Sequence, residues 1–221
     1  MKKFGLVTIG QAPRIDLTPE IKAILGQGYE IFEKGALDGL TLEEVKSFYP
    51  LESDEALVTR MADGTEVKVA ERYVFPRLKN KIKEFEDEGI KVIFIACTGE
   101  FPAIKSNVLI VRPQRVVYNV IHSIAQELTL GVLIPDDLQV NSAQVRWAGA
   151  AARVIVEAGS PYGKIENIGI AAEKLRQSGA DIVIMDCMGY TLKMKDIVYS
   201  IVNKPVVLSR SITAKVLSEL L

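Results

Sequence analysis

The chain carries two cysteines, Cys97 and Cys187, and each closes a copy of one pattern. The first copy runs from Leu78 to Phe101 and contains Gly89-Ile-Lys-Val-Ile-Phe-Ile-Ala-Cys97-Thr-Gly99. The second runs from Ile168 to Thr191 and contains Gly179-Ala-Asp-Ile-Val-Ile-Met-Asp-Cys187-Met-Gly189. Shifted by 90 positions, the glycines, the apolar run, the cysteine and the following glycine superimpose. Leu78, Ile82 and Phe85 then fall on Ile168, Ala172 and Leu175. Each copy reads as helix, tight turn, buried strand and a cysteine at the strand's carboxyl end.

A thiol titrates near 8.5, close enough to neutrality to act as acid or base. Two thiols on opposite sides of one carbon suit a single reaction type. One thiolate removes a proton next to a carboxylate, and the other thiol returns a proton from the opposite face. A single strand-end cysteine more often packs than reacts; the matched position in two copies favours function. A redox couple is disfavoured, because the pair is distant in sequence and lacks a Cys-x-x-Cys arrangement.

The elements that must hold these thiols alternate strand with helix. Phe4–Ile9 is a buried strand ending at Gly10. Thr18-Pro19-Glu20 opens a helix with Thr18 as its N-cap, and Gly26 ends it. Tyr29–Phe32 is a strand, Thr41-Leu-Glu-Glu44 a capping box, and Asp63-Gly64 a hairpin turn between Ala56–Arg60 and Glu66–Ala70. A helix over Arg77–Glu88, strands Lys91–Ala96 and Val108–Val111, and a linker at Arg112–Arg115 follow. Leu130–Pro135 then echoes the first strand. Helices over 139–148, 165–177, 192–202 and 212–221 alternate with strands over 153–157, 181–186 and 205–208. This is an α/β chain of two pseudo-symmetric three-layer α/β/α lobes with mainly parallel sheets. The first lobe spans 1–112 with the C-terminal helix 209–221 and carries a helix and hairpin insertion at 41–70. The second spans 113–208.

In open parallel sheets ligands bind beyond the carboxyl ends of strands. Both cysteines lie there, each before a turn whose amides approach a helix N-terminus and hold anions. Candidate substrate contacts are Thr98 and Gly99 after the first thiol, and Met188, Gly189 and Tyr190 after the second. Gly10, Gln11 and Arg14 lie in the loop after the first strand. The Arg14 fork suits a carboxylate bidentately, or caps loop carbonyls. Gln11 and Thr98 either bind a carboxylate or cap helices. Tyr190 supplies a hydroxyl or packs; Arg60 is a pocket wall or a dimer contact. Asp186 either tunes Cys187 or, by strand alternation, points to the other face. His122, the one histidine, and Trp147 read as packing residues, and no metal site or cofactor is expected. Gly-x-Gly-x-x-Gly, Walker A and Gly-x-Ser-x-Gly runs are absent.

A formal charge of −1, without basic clusters, gives no footprint for nucleic acid or anionic membrane. No apolar run approaches the roughly 20 residues that span a bilayer, and the expected location is cytoplasmic with reduced thiols.

Ile95-Ala96-Cys97-Thr98 and Asp186-Cys187-Met188 resemble the two cysteine motifs of the aspartate/glutamate racemase superfamily. Across the whole chain, Thr8-Ile-Gly-Gln-Ala-Pro-Arg14, Gly35-Ala-Leu-Asp38, Cys97-Thr-Gly99 and Asp186-Cys-Met-Gly-Tyr190 are similar to the AroM family. The resemblance implies a two-lobed, cofactor-independent racemase, isomerase or decarboxylase of a small carboxylate bound between the lobes. Cys97 and Cys187 would be the acid–base pair, and the resemblance suggests a homodimer. Glutamate racemase-like members carry Asn-Thr and Thr-His after their cysteines, where this chain has Thr98-Gly99 and Met188-Gly189. Their Asp-Ser-Gly after the first strand is Gly10–Arg14 here. Pro161-Tyr162-Gly163 is similar to a carboxylate-binding motif of those enzymes but lies in the other half. The loss of the histidine and acid leaves an alternative: a non-catalytic small-anion-binding protein on the same fold.

Overall fold

The computed structural model describes residues 2–221 and divides into two units, Met1–Pro113 with Ala214–Leu221, and Gln114–Thr213. In the first unit, strands β1 (Lys2–Thr8), β2 (Tyr29–Gly35), β5 (Val92–Ala96) and β6 (Leu109–Val111) form a parallel sheet in the order β2-β1-β5-β6. In the second, β7 (Thr129–Ile134), β8 (Arg153–Ala158), β9 (Ile182–Met185) and β10 (Val206–Leu208) form a parallel sheet in the order β8-β7-β9-β10. Strand for strand, these are the same topology.

The repeat extends to packing. Helix α3 (Glu71–Asp87) precedes β5 and helix α6 (Ile165–Gln177) precedes β9, and both end in glycines at φ +80°, Gly89 and Gly179. Only a residue without Cβ takes that backbone cheaply. Ile90 and Ala180 then donate to the carbonyls of Phe85 and Leu175. On the central strands Gly5 and Gly131 lie under those same helices. A Cβ on Gly5 would sit 2.7 Å from the Phe85 ring, and one on Gly131 would sit 3.2 Å from Leu175 Cδ2. Phe85 and Leu175 are both fully buried.

Between β2 and α3 the first unit carries α2 (Leu42–Lys46), with its Thr41–Glu44 capping box, and the antiparallel hairpin β3 (Ala56–Arg60)–β4 (Glu66–Ala70). Leu57, Val67 and Val69 of the hairpin join the core cluster that contains Cys97.

Several elements depart from the sequence reading. Helix α1 (Thr18–Leu25) is capped by Leu17, and Thr18 is its first helical residue. Helix α3 begins at Glu71, not Arg77, and runs through Pro76. Buried Val74 and the stack of Phe75 on Phe101 offset the hydrogen bond that proline forgoes. The expected linker at Arg112–Arg115 is the start of α4 (Pro113–Ala125), with proline at the first helical position. The remaining helices are α5 (Val140–Trp147), α7 (Leu192–Val202) and α8 (Ser209–Leu220). Among the described residues no helix is long and apolar enough to cross a membrane.

Candidate functional site

Cys97 follows β5 directly, where Ala96 pairs with Thr8 of the central strand β1. Cys187 follows β9, where Met185 pairs with Leu133 of the central strand β7 and Asp186 donates to the Leu133 carbonyl. Both thiols are buried to the same degree, 9% and 8% exposed. Each sulfur accepts the backbone N–H of the glycine two residues on, Gly99 at 3.2 Å and Gly189 at 3.3 Å. An N–H donated to sulfur favours the thiolate, the form in which cysteine acts as a base. The glycines permit close approach. A Cβ on Gly99 would lie 2.8 Å from Leu57 Cδ2, and one on Gly189 would lie 2.5 Å from the Tyr162 hydroxyl.

The surroundings of the two turns differ. The segment from Cys97 to β6 is irregular, so no helix opens after the first thiol, contrary to the expectation. Phe101 closes this segment into the core, and its carbonyl accepts from Arg112 Nη2. After Cys187, Thr191 caps α7 by accepting from the Met194 N–H at 3.2 Å. The fully buried Arg210, at the start of α8, donates from Nε to the Met188 carbonyl at 2.9 Å and from Nη2 to the Gly189 carbonyl at 3.1 Å. Asp186 turns away from the thiol, as alternation predicts. Its carboxylate accepts from Arg146 Nη2 and Trp147 Nε1 of α5, both at 2.8 Å.

In the first unit the loop after β1 is braced from several directions. Arg14 is buried; its Nε and Nη2 grip the two oxygens of Asp16 at 2.9 and 2.8 Å, and its Nη1 donates to Thr8 Oγ1 at 2.8 Å. Arg60 Nη1 lies 3.8 Å from the same Asp16 carboxylate. Burial pushes the Asp16 carboxyl up, but the hydrogen bonds and charge of Arg14, with the charge of Arg60, outweigh it and hold the group below its ordinary value. The Arg14 amide donates to Glu33, and Asp38 accepts from the amides of Ala12 and Gly35. Gly35 has room for no side chain: a Cβ would lie 2.4 Å from Asp38 Oδ1. The hairpin completes the brace, since a Cβ on Gly10 would meet the Arg60 carbonyl and Thr59 Oγ1 at 2.4 Å.

These contacts redistribute the residues that sequence pointed to. The structure ties Gly10, Gln11 and Arg14 into one loop assembly and seats Thr98 and Gly99 beside Cys97, with Met188 and Gly189 beside Cys187. Gln11 spends its amide on internal braces: Nε2 donates to the carbonyls of Leu37 and Leu40, and Oε1 accepts from the Ala62 N–H. Tyr190 is fully buried and donates its hydroxyl to the Gly159 carbonyl at 2.7 Å, which anchors the turn. Arg60 joins the Asp16 assembly. His122, half-buried, stacks on Tyr118 and contacts the Gly149 carbonyl at 3.0 Å, while Trp147 is buried. Pro161 and Tyr162, set aside on position in the sequence, pack against Gly189.

Sequence reasoning missed Arg210 altogether. Its signal is a lone charge two residues past a strand, Val206–Leu208. A cleft of about 310 Å³ opens at the carboxyl ends of β7 and β8, lined by Pro135, Asp136, Asp137, Gly159, Ser160 and Asn167 among others. Among the described residues no cluster of three or more His, Cys, Asp or Glu side chains could hold a metal ion.

The sequence pattern of the AroM protein family matches residues 4–221. No curated protein matches the chain. Among solved structures it is similar to allantoin racemase from Pseudomonas fluorescens, at 17% identity and TM-score 0.64, over 99% of this chain and 89% of that one. It is similar to Nocardia farcinica maleate cis-trans isomerase, at 14% identity and TM-score 0.64, over 100% and 92%. It is also similar to Picrophilus torridus aspartate racemase, at 14% and 0.60, over 100% and 94%. The fold is thus the aspartate/glutamate racemase-like one.

Proposed function

The chain belongs to the AroM family, and we propose that it is a cofactor-independent racemase or isomerase of a small carboxylate, with Cys97 and Cys187 as its acid–base pair. One observation carries the reading: in two units of identical topology, a thiol at the same strand end accepts the same i+2 glycine N–H. A packing cysteine needs no such donor, and a repeated one signals a thiol held for proton transfer. The structural neighbours named as racemases and an isomerase support the same class.

One thiolate takes the proton on the carbon next to the carboxylate and becomes a thiol. The electron pair moves into the carboxylate as an enediolate. The other thiol delivers its proton to the opposite face and is left as thiolate. Backbone amides of the two cysteine turns hold the developing oxyanion, and Thr98 adds its hydroxyl. Arg14, paired with Asp16 and held by Thr8, braces the loop at the first strand end. With a malonate the same enediolate arises by loss of carbon dioxide, and one thiol then suffices to protonate it.

The test is solvent deuterium incorporation, read by NMR, over a panel of amino acids, hydroxy acids, unsaturated diacids and malonates. Exchange or conversion by the wild type, with interconversion lost in Cys97→Ala and in Cys187→Ala, is the expected result. A panel left unchanged, with one of its members still raising the Tm, would replace the enzyme with the small-anion-binding protein.

A further inference from the structure

We infer that Leu57, on the β3–β4 hairpin, is a specificity-determining residue of the first thiol and sets how bulky a molecule can reach Cys97. The inference rests on the reading of the cysteines as proton-transfer groups. It deepens that reading by naming the substrate class: carboxylates whose reacting carbon carries a compact group.

The hairpin is an addition to the repeat. Among the described elements of the second unit β8 is followed directly by α6, whereas in the first unit α2 and the hairpin stand between β2 and α3. Cys187 is nonetheless seated like Cys97, at a strand end with the i+2 glycine N–H on its sulfur. Such a turn therefore forms without a hairpin, and what the hairpin adds at Cys97 is a surface rather than a seat.

That surface is one face of β3. Side chains two apart along a strand point the same way, and Leu57 and Thr59 each reach a strand-end turn. Thr59 Oγ1 lies against Gly10 in the loop after β1, and Leu57 Cδ2 against Gly99 in the thiol turn. The point where a Gly99 Cβ would stand is 2.8 Å from the Leu57 methyl, 3.2 Å from Cys97 Sγ and 3.6 Å from the Phe101 ring. The methyl, the sulfur and the ring thus border one small space, and a bulky group brought to the sulfur there meets Leu57.

A wall selects only if it stays in place, and both ends of the hairpin are pinned. At its tip the Arg60 carbonyl accepts from the Gln11 N–H at 3.2 Å, and the Ala62 N–H donates to Gln11 Oε1 at 2.9 Å. At its base the Ala70 N–H donates to the Phe48 carbonyl at 2.7 Å, and the Glu71 N–H to the Glu55 carbonyl at 2.9 Å. Leu57 pairs across the hairpin with Val69, and both are buried. Phe101 is held by its stack on Phe75. A single methylene more or less against an apolar wall discriminates by about 10–200-fold.

The test compares two maleimides of equal chemistry and unequal bulk, N-methylmaleimide and N-phenylmaleimide. It is run in Cys187→Ser protein, where Cys97 is the one thiol left. Both reagents add to the same thiolate, so the ratio of their rates, divided by the ratio for N-acetylcysteine, reports access and not thiolate fraction. With Leu57 in place the smaller reagent is expected to be favoured by at least about tenfold. Leu57→Ala is expected to lower that preference about tenfold. Leu57→Val, expected to lower it about threefold, keeps the test decisive if the alanine variant fails to fold. Val45→Ala trims a buried side chain of the same core cluster on α2 and is expected to leave the preference unchanged. Three results overturn the inference. The first is no preference with Leu57 in place. The second is a preference, or an inertness to both reagents, that the folded Leu57 variants leave standing. The third is a preference that Val45→Ala removes as fully as Leu57→Ala does. The readout needs no turnover, so absent deuterium exchange with the preference moved would remove the proposed reaction and leave Leu57 as the wall at Cys97. Exchange with the preference unmoved would do the reverse.

Discussion

The two cysteine turns are alike in backbone and unlike in support. Each ends a parallel strand beside its unit's central strand, and each sulfur accepts its glycine N–H at nearly the same distance. The second turn is locked from four directions: Arg210 on its carbonyls, Tyr190 on Gly159, Tyr162 against Gly189, and the capped helix α7 after it. The first is followed by irregular chain and is covered by the hairpin, with Leu57 over Gly99. Duplication supplies two thiols on equivalent turns; the supports named for those turns have diverged.

The largest difference should appear at the buried ion pairs. Asp186, with a side chain 1% exposed between Arg146 and Trp147, is expected to cost about 3–5 kcal/mol when replaced by alanine, because Arg146 is left buried without it. Asp16 is 17% exposed at its side chain, and Arg14 keeps its Thr8 bond, so Asp16→Ala should cost less, about 2 kcal/mol. Urea unfolding of both variants checks the order, and equal losses would break the contrast.

The glycines give a smaller and sharper contrast. Gly189→Ala drives a methyl into Tyr162 and Pro161 and is expected to cost about 2–3 kcal/mol. Gly99→Ala meets the Leu57 Cδ2 methyl at 2.8 Å and the Cys97 sulfur at 3.2 Å and should cost less, about 1 kcal/mol. Tyr162→Ala should recover part of the Gly189→Ala loss, a coupling that a double-mutant cycle measures.

The smallest effect is one of pH. Asp16 has its folded carboxyl value lowered by Arg14 and Arg60, so its contribution is fully present above the unfolded value, near 3.9, and is lost as pH falls through the folded one. Acid unfolding of Asp16→Asn is therefore expected to be less steep below about pH 4 than that of the wild type. Matching acid limbs would remove Asp16 from the account.

How much of this the sequence disclosed follows from the range of each interaction. The thiol strand ends were legible because a local pattern, glycine then apolar run then cysteine, occurs twice. Strand alternation correctly sent Asp186 away from the thiol, and the Thr41 capping box needed only four neighbouring residues. Arg210 was not legible: its acceptors lie about twenty positions upstream and no local rule links them. For Tyr190 the sequence left a substrate hydroxyl and a packing role open, because it cannot show the Gly159 carbonyl that takes its hydroxyl. The absent helix after Cys97 was missed because the repeat was extended past the residues that actually repeat. Pro76 and Pro113 misled in opposite ways. Tertiary packing carried α3 through the first, and the second began a helix rather than a linker.

The central claim, that each thiol serves one face of a substrate carbon, is tested most directly by exchange with single enantiomers in deuterium oxide. On a substrate of the panel that the wild type exchanges, Cys97→Ser and Cys187→Ser are each expected to lose interconversion of the enantiomers by at least about a hundredfold. Each should retain wash-in with only one enantiomer, and the two variants with opposite ones. Both variants exchanging the same enantiomer, or both interconverting the enantiomers at the wild-type rate, would contradict the account.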